Sequence, residues 1–246
     1  MVGNDPIRIR LQDRDRRLLQ ELGIMRVIDR EQAKAVAPFT STSAANVRLL
    51  ALTRAGLLKR TFVAGSKAVY RLSVEAERNP KKHEGDTKHS ALFLEHQLAI
   101  NELYVRLLHG TAPAEIVVRN WARFEATLAP SIPLIPDGFC EIVAAAVAAT
   151  FLEVDLGTEP QRVWQRKARL YVELATSSEF ATRFGHQRFR VLVVAATERR
   201  IEGIRATIAN ITDRLFWFAS FQTIYREGLW APIWLRPKGD MRSSLV

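Results

Sequence analysis

The stretch 135–159, IPDGFCEIVAAAVAATFLEVDLGTE, constrains the fold more than any other part of the chain. It is long and largely apolar, yet it carries Asp137 at its start and Glu153 and Asp155 near its end. Carboxylates on an apolar segment are costly unless something compensates them. Strand side chains alternate, so Glu153 and Asp155 share one face while Leu152, Val154 and Leu156 take the other. We expect strands over about 136–143 and 148–155, paired as a hairpin. A turn centred on Ala145 sets Asp137 opposite Glu153, and one centred on Ala146 sets it opposite Asp155. A turn centred between the two alanines sets it against Val154, on the other face. The run VAAAVAAT holds no turn residue that chooses among them.

In either of the first two registers, three carboxylates gather at one end of a sheet. Like charges that close raise one another's pKa unless a cation joins them. An oxygen-only set suits Mg²⁺ or Mn²⁺, which can activate water and steady a phosphodiester during displacement. The bland alternative is a polar sheet edge that resists edge-to-edge pairing. The segment TEPQRVWQRKARLYVELA predicts the next helix, with Thr158 as cap, Pro160 in the first turn and Gln161 closing a capping box. Val163, Lys167, Leu170, Tyr171 and Leu174 form a stripe at helical spacing, which puts Lys167 where a core residue belongs. Its ammonium either meets a carboxylate or phosphate, or snorkels to solvent over a packed stem.

Charge divides the chain. Residues 1–90 hold 18 Lys+Arg against 10 Asp+Glu, whereas residues 91–246 hold 18 against 16. A basic module beside a near-neutral one points to a polyanion partner for the first, with double-stranded DNA the simplest. Within 1–75 the sequence reads helix, helix, helix, hairpin, the order of a winged helix-turn-helix. The first helix, QDRDRRLLQEL, turns Leu18, Leu19 and Leu22 inward and ends at Gly23; Asp29 and Gln32 resemble a capping box on the second. The third, STSAANVRLLALTRAG, is capped by one of Ser41, Thr42 or Ser43, closes at Gly56 and buries Val47, Leu50 and Ala51. Thr42, Ser43, Asn46 and Arg48 are then the candidates for the major groove. Lys59, Arg60, Lys67 and Arg71 on the hairpin are candidates for phosphates. A protein-docking module with solvated charges is the alternative.

Residues 76–90 are polar, with Pro80 and Gly85, and read as a linker. Residues 91–246 read as a mixed α/β domain of order α-β-β-β-α-β-α-β: a helix over 91–108, strands near 115–120, 136–143 and 148–155, the Lys167 helix, a buried strand RFRVLVVAAT, a helix running from Glu198 through Ala219, and a last strand in LWAPIWLR. Glu95 and Glu102 fall on one face of the first of these helices, and Glu102 is a further candidate metal ligand or a solvated side chain. Trp217, Trp230 and Trp234 with Phe216, Phe218 and Phe221 suggest core packing or a dimer face, so a homodimer stands beside DNA as a partner. Base stacking is a third reading of these rings. A single cysteine, Cys140, permits no internal disulfide, no run is long and apolar enough for a membrane span, and the N-terminus lacks a secretory stretch, so the expected compartment is the cytoplasm. The five histidines lack metal-ligand spacing, and there is no P-loop.

PDG, FLEVD and the helix with KARLY together resemble the PD-(D/E)xK nuclease superfamily. The resemblance implies a restriction-endonuclease-like α/β domain, with Asp137 as the acid of the PD element and Glu153 as that of the E-x-K element. Asp155 stands where the lysine belongs. Some branches carry the basic residue on the following helix, where Lys167 lies, and Lys167-x3-Tyr171 is similar to the Q-x3-Y element of exonuclease branches. Over about residues 12–218 the chain also resembles the replication-relaxation family of plasmids and integrative elements. DRDRRLLQEL, RAGLLKR, LEHQLAINELYV, FLEVDLGTE, RKARLY and VLVVAATERR carry that likeness. It implies an N-terminal winged helix and a DNA context within a mobile genetic element. Two functions follow as expectations: a DNA-binding, metal-dependent endonuclease using Asp137, Glu153, Asp155, Lys167 and Tyr171, or a non-catalytic transcription or replication regulator whose C-terminal domain dimerises or recruits partners.

Overall fold

The computed structural model describes residues 9–63, 67–73 and 91–245. The expected linker 76–90 and the hairpin tip at Gly65 lie outside them. The chain divides into two compact units, Met1–Gly110 and Thr111–Val246.

The first unit runs α1 (Asp13–Met25), β1 (Ile28–Asp29), α2 (Arg30–Val36), α3 (Thr42–Arg54), β2 (Leu58–Val63), β3 (Lys67–Leu72) and α4 (Ala91–Leu108). Its strands form an antiparallel sheet of order β1-β3-β2, so the hairpin's second strand sits centrally. Asp29 caps α2 in the expected box with Gln32, and Ser41 caps α3 by accepting from the Ala44 N–H at 3.0 Å. Gly56 ends α3 at φ +74°, and the Leu57 N–H reaches back to the Leu52 carbonyl at 3.0 Å. That is the paired closure a left-handed residue permits. α1 does not stop at Gly23 but continues to Met25, and Arg26 makes the turn at φ 64°.

α3 is rotated from the expected orientation. Its buried stripe is Ala45, Leu49 and Leu52, while Val47 is 69% exposed. The i, i+4, i+7 set of one alanine and two leucines fits against the hairpin and α2 with more apolar area than a stripe through Val47. α4 also departs from expectation, because it packs with the first unit rather than opening the second. Its Asn101 amide donates to the Met25 and Val27 carbonyls at 3.0 and 2.6 Å, satisfying the turn after α1. The Leu98 carbonyl receives the Gln32 side chain at 2.8 Å, and Leu94 and Leu98 join Val27, Val63 and Val69 in one cluster.

The second unit runs β4 (Val117–Ala122), β5 (Gly138–Val143), β6 (Val147–Asp155), α5 (Gln161–Thr176), α6 (Glu179–Phe184), β7 (Phe189–Ala195), α7 (Glu198–Ala209), β8 (Phe216–Ser220), α8 (Phe221–Glu227), β9 (Trp234–Leu235) and β10 (Arg242–Ser243). Among the described residues its sheet has the order β10-β9-β8-β7-β6-β5-β4. β4, β5 and β6 pair antiparallel; β6, β7 and β8 pair parallel, joined by crossovers through α5–α6 and α7. The chain is therefore a mixed α/β protein, as expected. The helix expected from Glu198 through Ala219 instead ends at Ala209, and FWFAS becomes a central strand. Phe216 and Phe218 are fully buried beside Tyr171, and Trp234 is buried too, so these rings belong to the core.

The face of β6 that carries Ala149 and Phe151 is covered by α5 and α7 and forms the main core with Trp164, Ala168, Tyr171 and Leu174. This is the buried stripe of α5, one position round from the expected one, so Lys167 lies at its margin with 17% of its side chain exposed. The α5 N-cap is Pro160 without a side-chain bond, rather than Thr158.

Candidate functional site

The β5–β6 hairpin turns about Ala145: Val143 pairs with Val147, and Gly138 with Leu152. This is the first of the three registers; the pairing ends at Gly138, and just before it the Asp137 N–H donates to the same Leu152 carbonyl at 3.1 Å. Asp137 thus lies next to the end of the ladder, close enough to Glu153 for its charge to act on that carboxyl. Its Oδ2 accepts from the Val154 N–H at 2.7 Å.

Glu153 is wholly buried. Its Oε2 accepts from Lys167 Nζ at 2.8 Å and its Oε1 from the Tyr171 hydroxyl at 2.7 Å. Lys167 and Tyr171 are four apart on α5, one turn, so one helix face supplies both donors. Burial raises the Glu153 carboxyl to about 7; Lys167 opposes that rise and Asp137 adds to it. Burial works against the Lys167 charge, but Glu153, then Glu159 and Asp137, outweigh it and hold the ammonium protonated. Burial and the neighbouring Glu153 push the Tyr171 hydroxyl far up, so it stays a donor. Asp137, Glu153, Lys167 and Tyr171 therefore interact as one group.

Asp155 shares the face but belongs to a second cluster. Arg200 from α7 holds both its oxygens, Nε to Oδ1 at 3.0 Å and a terminal nitrogen to Oδ2 at 2.7 Å. The Trp164 indole donates to Oδ2 at 2.7 Å, and the Gly157 N–H donates to Oδ1. Burial pushes this carboxyl up, yet the Arg200, Trp164 and Gly157 bonds prevail and hold it below its ordinary range. The two clusters meet at Glu159. Its Oε1 accepts from Lys167 at 2.9 Å, its carbonyl accepts from Arg200, and its Oε2 is buried with no hydrogen-bond partner among the described residues. Lys167 also lies over the Trp164 ring, 5.0 Å from its centroid. A cavity of about 460 Å³ opens between α5 and α7, lined by Gly157, Gln161, Trp164, Thr197, Arg199 and Arg200 among others.

Among the described residues, no three acidic, histidine or cysteine groups converge as a metal cluster. The expected trio is divided: Asp137 acts on Glu153 electrostatically, while Asp155 is turned to Arg200. Mg²⁺ commonly takes only one or two protein carboxylates and completes its shell with water and substrate oxygens. Asp137 and Glu153 fit that smaller set. Glu102 is on α4 in the first unit, ion-paired with Arg106 at 2.7 Å. Glu159, Trp164 and Arg200 were not foreseen as site residues. Glu159 closes the LEVDLGTE block, but Trp164 read as an ordinary helix residue and Arg200 lies 45 residues beyond its partner.

In the first unit the expected DNA-facing residues separate as well. Ser43, Lys59 and Arg60 are exposed, and Asn46 is partly so. Thr42 accepts from Lys34 Nζ at 2.9 Å. Lys67 pairs with Asp29 at 2.6 Å while staying half exposed, and Arg71 is partly buried. Arg48 does not face outward. It grips the wholly buried Asp15, Nε to Oδ1 at 2.8 Å, and also donates to the Arg10 carbonyl. A buried carboxylate on α1 needs a cation, and Arg48 is the one that reaches it.

These units define a mixed α/β protein with a basic helical N-terminal module and, within its second unit, a buried carboxylate–lysine cluster. The replication-relaxation family matches residues 16–186, well over half of the chain, and the chain belongs to that family. No curated protein and no solved structure matches it.

Proposed function

We propose that this chain binds duplex DNA through its first unit and cleaves one strand of it with its second, in the replication or relaxation of a mobile element such as a plasmid. The order α1-β1-α2-α3-β2-β3 with sheet order β1-β3-β2 supports reading the first unit as a winged helix-turn-helix. In this reading α3 enters the major groove, and Lys59 and Arg60 on the wing follow phosphates. The second unit is a PD-(D/E)xK-like scaffold. The observation that carries the cleavage reading is Asp137 near Glu153 at the end of the hairpin ladder, with Lys167 bonded to Glu153 from the adjoining helix.

Mg²⁺ or Mn²⁺ held by Asp137 and Glu153 would polarise a phosphate oxygen and lower the pKa of a bound water. Lys167 contributes a fixed positive charge beside the scissile phosphate. Tyr171 orients Glu153 from behind and keeps its own proton. Arg199 and Arg200 line the neighbouring cavity, which suits the flanking phosphates of a bound strand. A second reading rests on a specific observation: both Glu153 oxygens are already satisfied by Lys167 and Tyr171, and both Asp155 oxygens by Arg200. Such a group is complete without a metal, and the chain would then be a DNA-binding replication regulator.

The test is incubation of the purified chain with supercoiled plasmid in Mg²⁺, Mn²⁺ or EDTA, beside Asp137→Asn and Glu153→Gln. Metal-dependent nicking lost in both variants is the expected result. Tight binding with the plasmid left supercoiled in every metal would hand the function to the regulator reading.

A further inference from the structure

We infer that α3 reads A·T base pairs, Val47 packing on a thymine methyl and Asn46 addressing the adjacent adenine edge. This rests on the duplex-DNA reading above and names what the helix selects. The outward stripe of α3 is Ser43, Asn46, Val47 and Leu50, at the i, i+3, i+4, i+7 spacing of one helix face. At its centre Val47 is 69% exposed, an unusual place for a β-branched apolar side chain on a helix whose other face is fully packed. A lone exposed apolar residue carries no meaning by itself. What gives this one meaning is the chemistry withdrawn around it.

Guanine is read in the major groove chiefly by arginine or lysine, adenine by asparagine or glutamine, and the thymine methyl by apolar contact. The front half of α3 has one arginine, Arg48, and it is consumed by Asp15 at 2.8 Å. The Thr42 hydroxyl accepts from Lys34, which is shared with Glu31. What remains outward at the leading end is a short hydroxyl, an amide and an isopropyl group, a set matched to A·T rather than G·C. Arg54, exposed at the end of α3, and Lys59 and Arg60, exposed on β2 of the same unit, add positive charge, which suits a polyanionic groove over an apolar partner surface.

The experiment selects duplexes from a random-sequence library with the full chain at fixed salt. It then remakes the selected duplex with deoxyuridine for thymidine, which deletes only the C5 methyl. The wild-type chain is expected to bind the uracil duplex roughly fourfold more weakly for each methyl contacted, the equivalent of about 0.8 kcal/mol per buried methyl-sized group. Val47→Ala, at an exposed position that leaves folding intact, is expected to bind both duplexes alike. Asn46→Ala is expected to relax the adenine preference in a repeated selection. Equal binding of the two duplexes by the wild type, a selected site without thymine, or discrimination that survives Val47→Ala overturns the A·T assignment while duplex binding stands. A wild-type dimer that Val47→Ala dissociates in sedimentation also overturns it, by giving Val47 to a second copy. No binding to any duplex at low salt overturns the reading on which the assignment rests.

Discussion

Two buried carboxylates show how single residues in this chain are committed. Asp15 is fully inside the first unit and is compensated by Arg48, which keeps 15% of its side chain exposed. Burial raises the Asp15 carboxyl, and the Arg48 bonds then draw it below its ordinary range. Removing one partner of such a pair leaves an unpaired buried charge and costs roughly 3–5 kcal/mol. Arg48→Met is therefore expected to destabilise the first unit by several kcal/mol in urea denaturation, and a loss under about 1 kcal/mol would mean that water or another group reaches Asp15. Glu153 behaves in the opposite sense, since burial lifts its carboxyl to about 7. A folded value above the unfolded one means that the folded chain holds this proton more tightly. Its contribution to stability is complete below the unfolded value, roughly 4, and drains away as pH rises through about 7. Glu153→Gln keeps the shape and removes the titration. Denaturation midpoints measured across that window are expected to fall less steeply with pH in the variant than in the wild type.

At the scale of elements, the caps of α2 and α3 were legible, whereas the Thr158 cap expected for α5 gave way to Pro160 and the long-range choices were not legible. Asp29, the serine run before α3 and Gly56 each announce themselves by chemistry within four residues, and each sits where that chemistry requires. The end of α1 did not, because the turn is made by Arg26 rather than by a glycine. Its φ of 64° and ψ of −48° centre a tight turn in which the Val27 N–H reaches the Met25 carbonyl at 2.8 Å. A side chain in this region is strained, so Arg26→Gly is expected to stabilise the first unit by roughly 1 kcal/mol in the same urea assay. The strand β8 was hidden for another reason. DRLFWFA follows a helical pattern without a glycine or proline stop, and only the slot beside β7 makes it a strand. The hairpin register was likewise open, since three alanines offer no turn signal; pairing of Val143 with Val147 settles it by burying Phe139 and Phe151 on one face. Of the candidate site, Asp137, Glu153 and Lys167 were visible because each is a charged residue in an apolar pattern, and Tyr171 through the likeness of Lys167-x3-Tyr171 to the Q-x3-Y element. Arg200 was not, because a cation on an exposed helix turn is ordinary until the strand it leans on is known.

For the whole molecule, the proposed function assigns docking to the first unit and cleavage to the second, and that division of labour has a measurable consequence. Positive charge is concentrated in residues 1–90, 18 Lys+Arg against 10 Asp+Glu, so the proposal assigns the electrostatic part of duplex binding to the first unit. Each phosphate neutralised on B-DNA contributes about 0.9 to the slope of log affinity against log salt. Lys59 and Arg60 are both exposed on β2, and Arg60 lies over the exposed Phe62 ring at 4.6 Å, which holds it outward. Replacing both by alanine is expected to reduce the magnitude of that slope by roughly 1.8 and to weaken binding to all duplexes alike. Glu153→Gln, confined to the interior of the second unit, is expected to leave the slope unchanged while removing nicking. Fluorescence anisotropy over a salt series, run beside the plasmid assay on the same preparations, reads both. An unchanged slope in the double alanine variant would mean that the wing does not lie on phosphates. A slope that moves with Glu153→Gln would mean that the second unit shares the electrostatic contact, and the division between docking and chemistry would have to be redrawn.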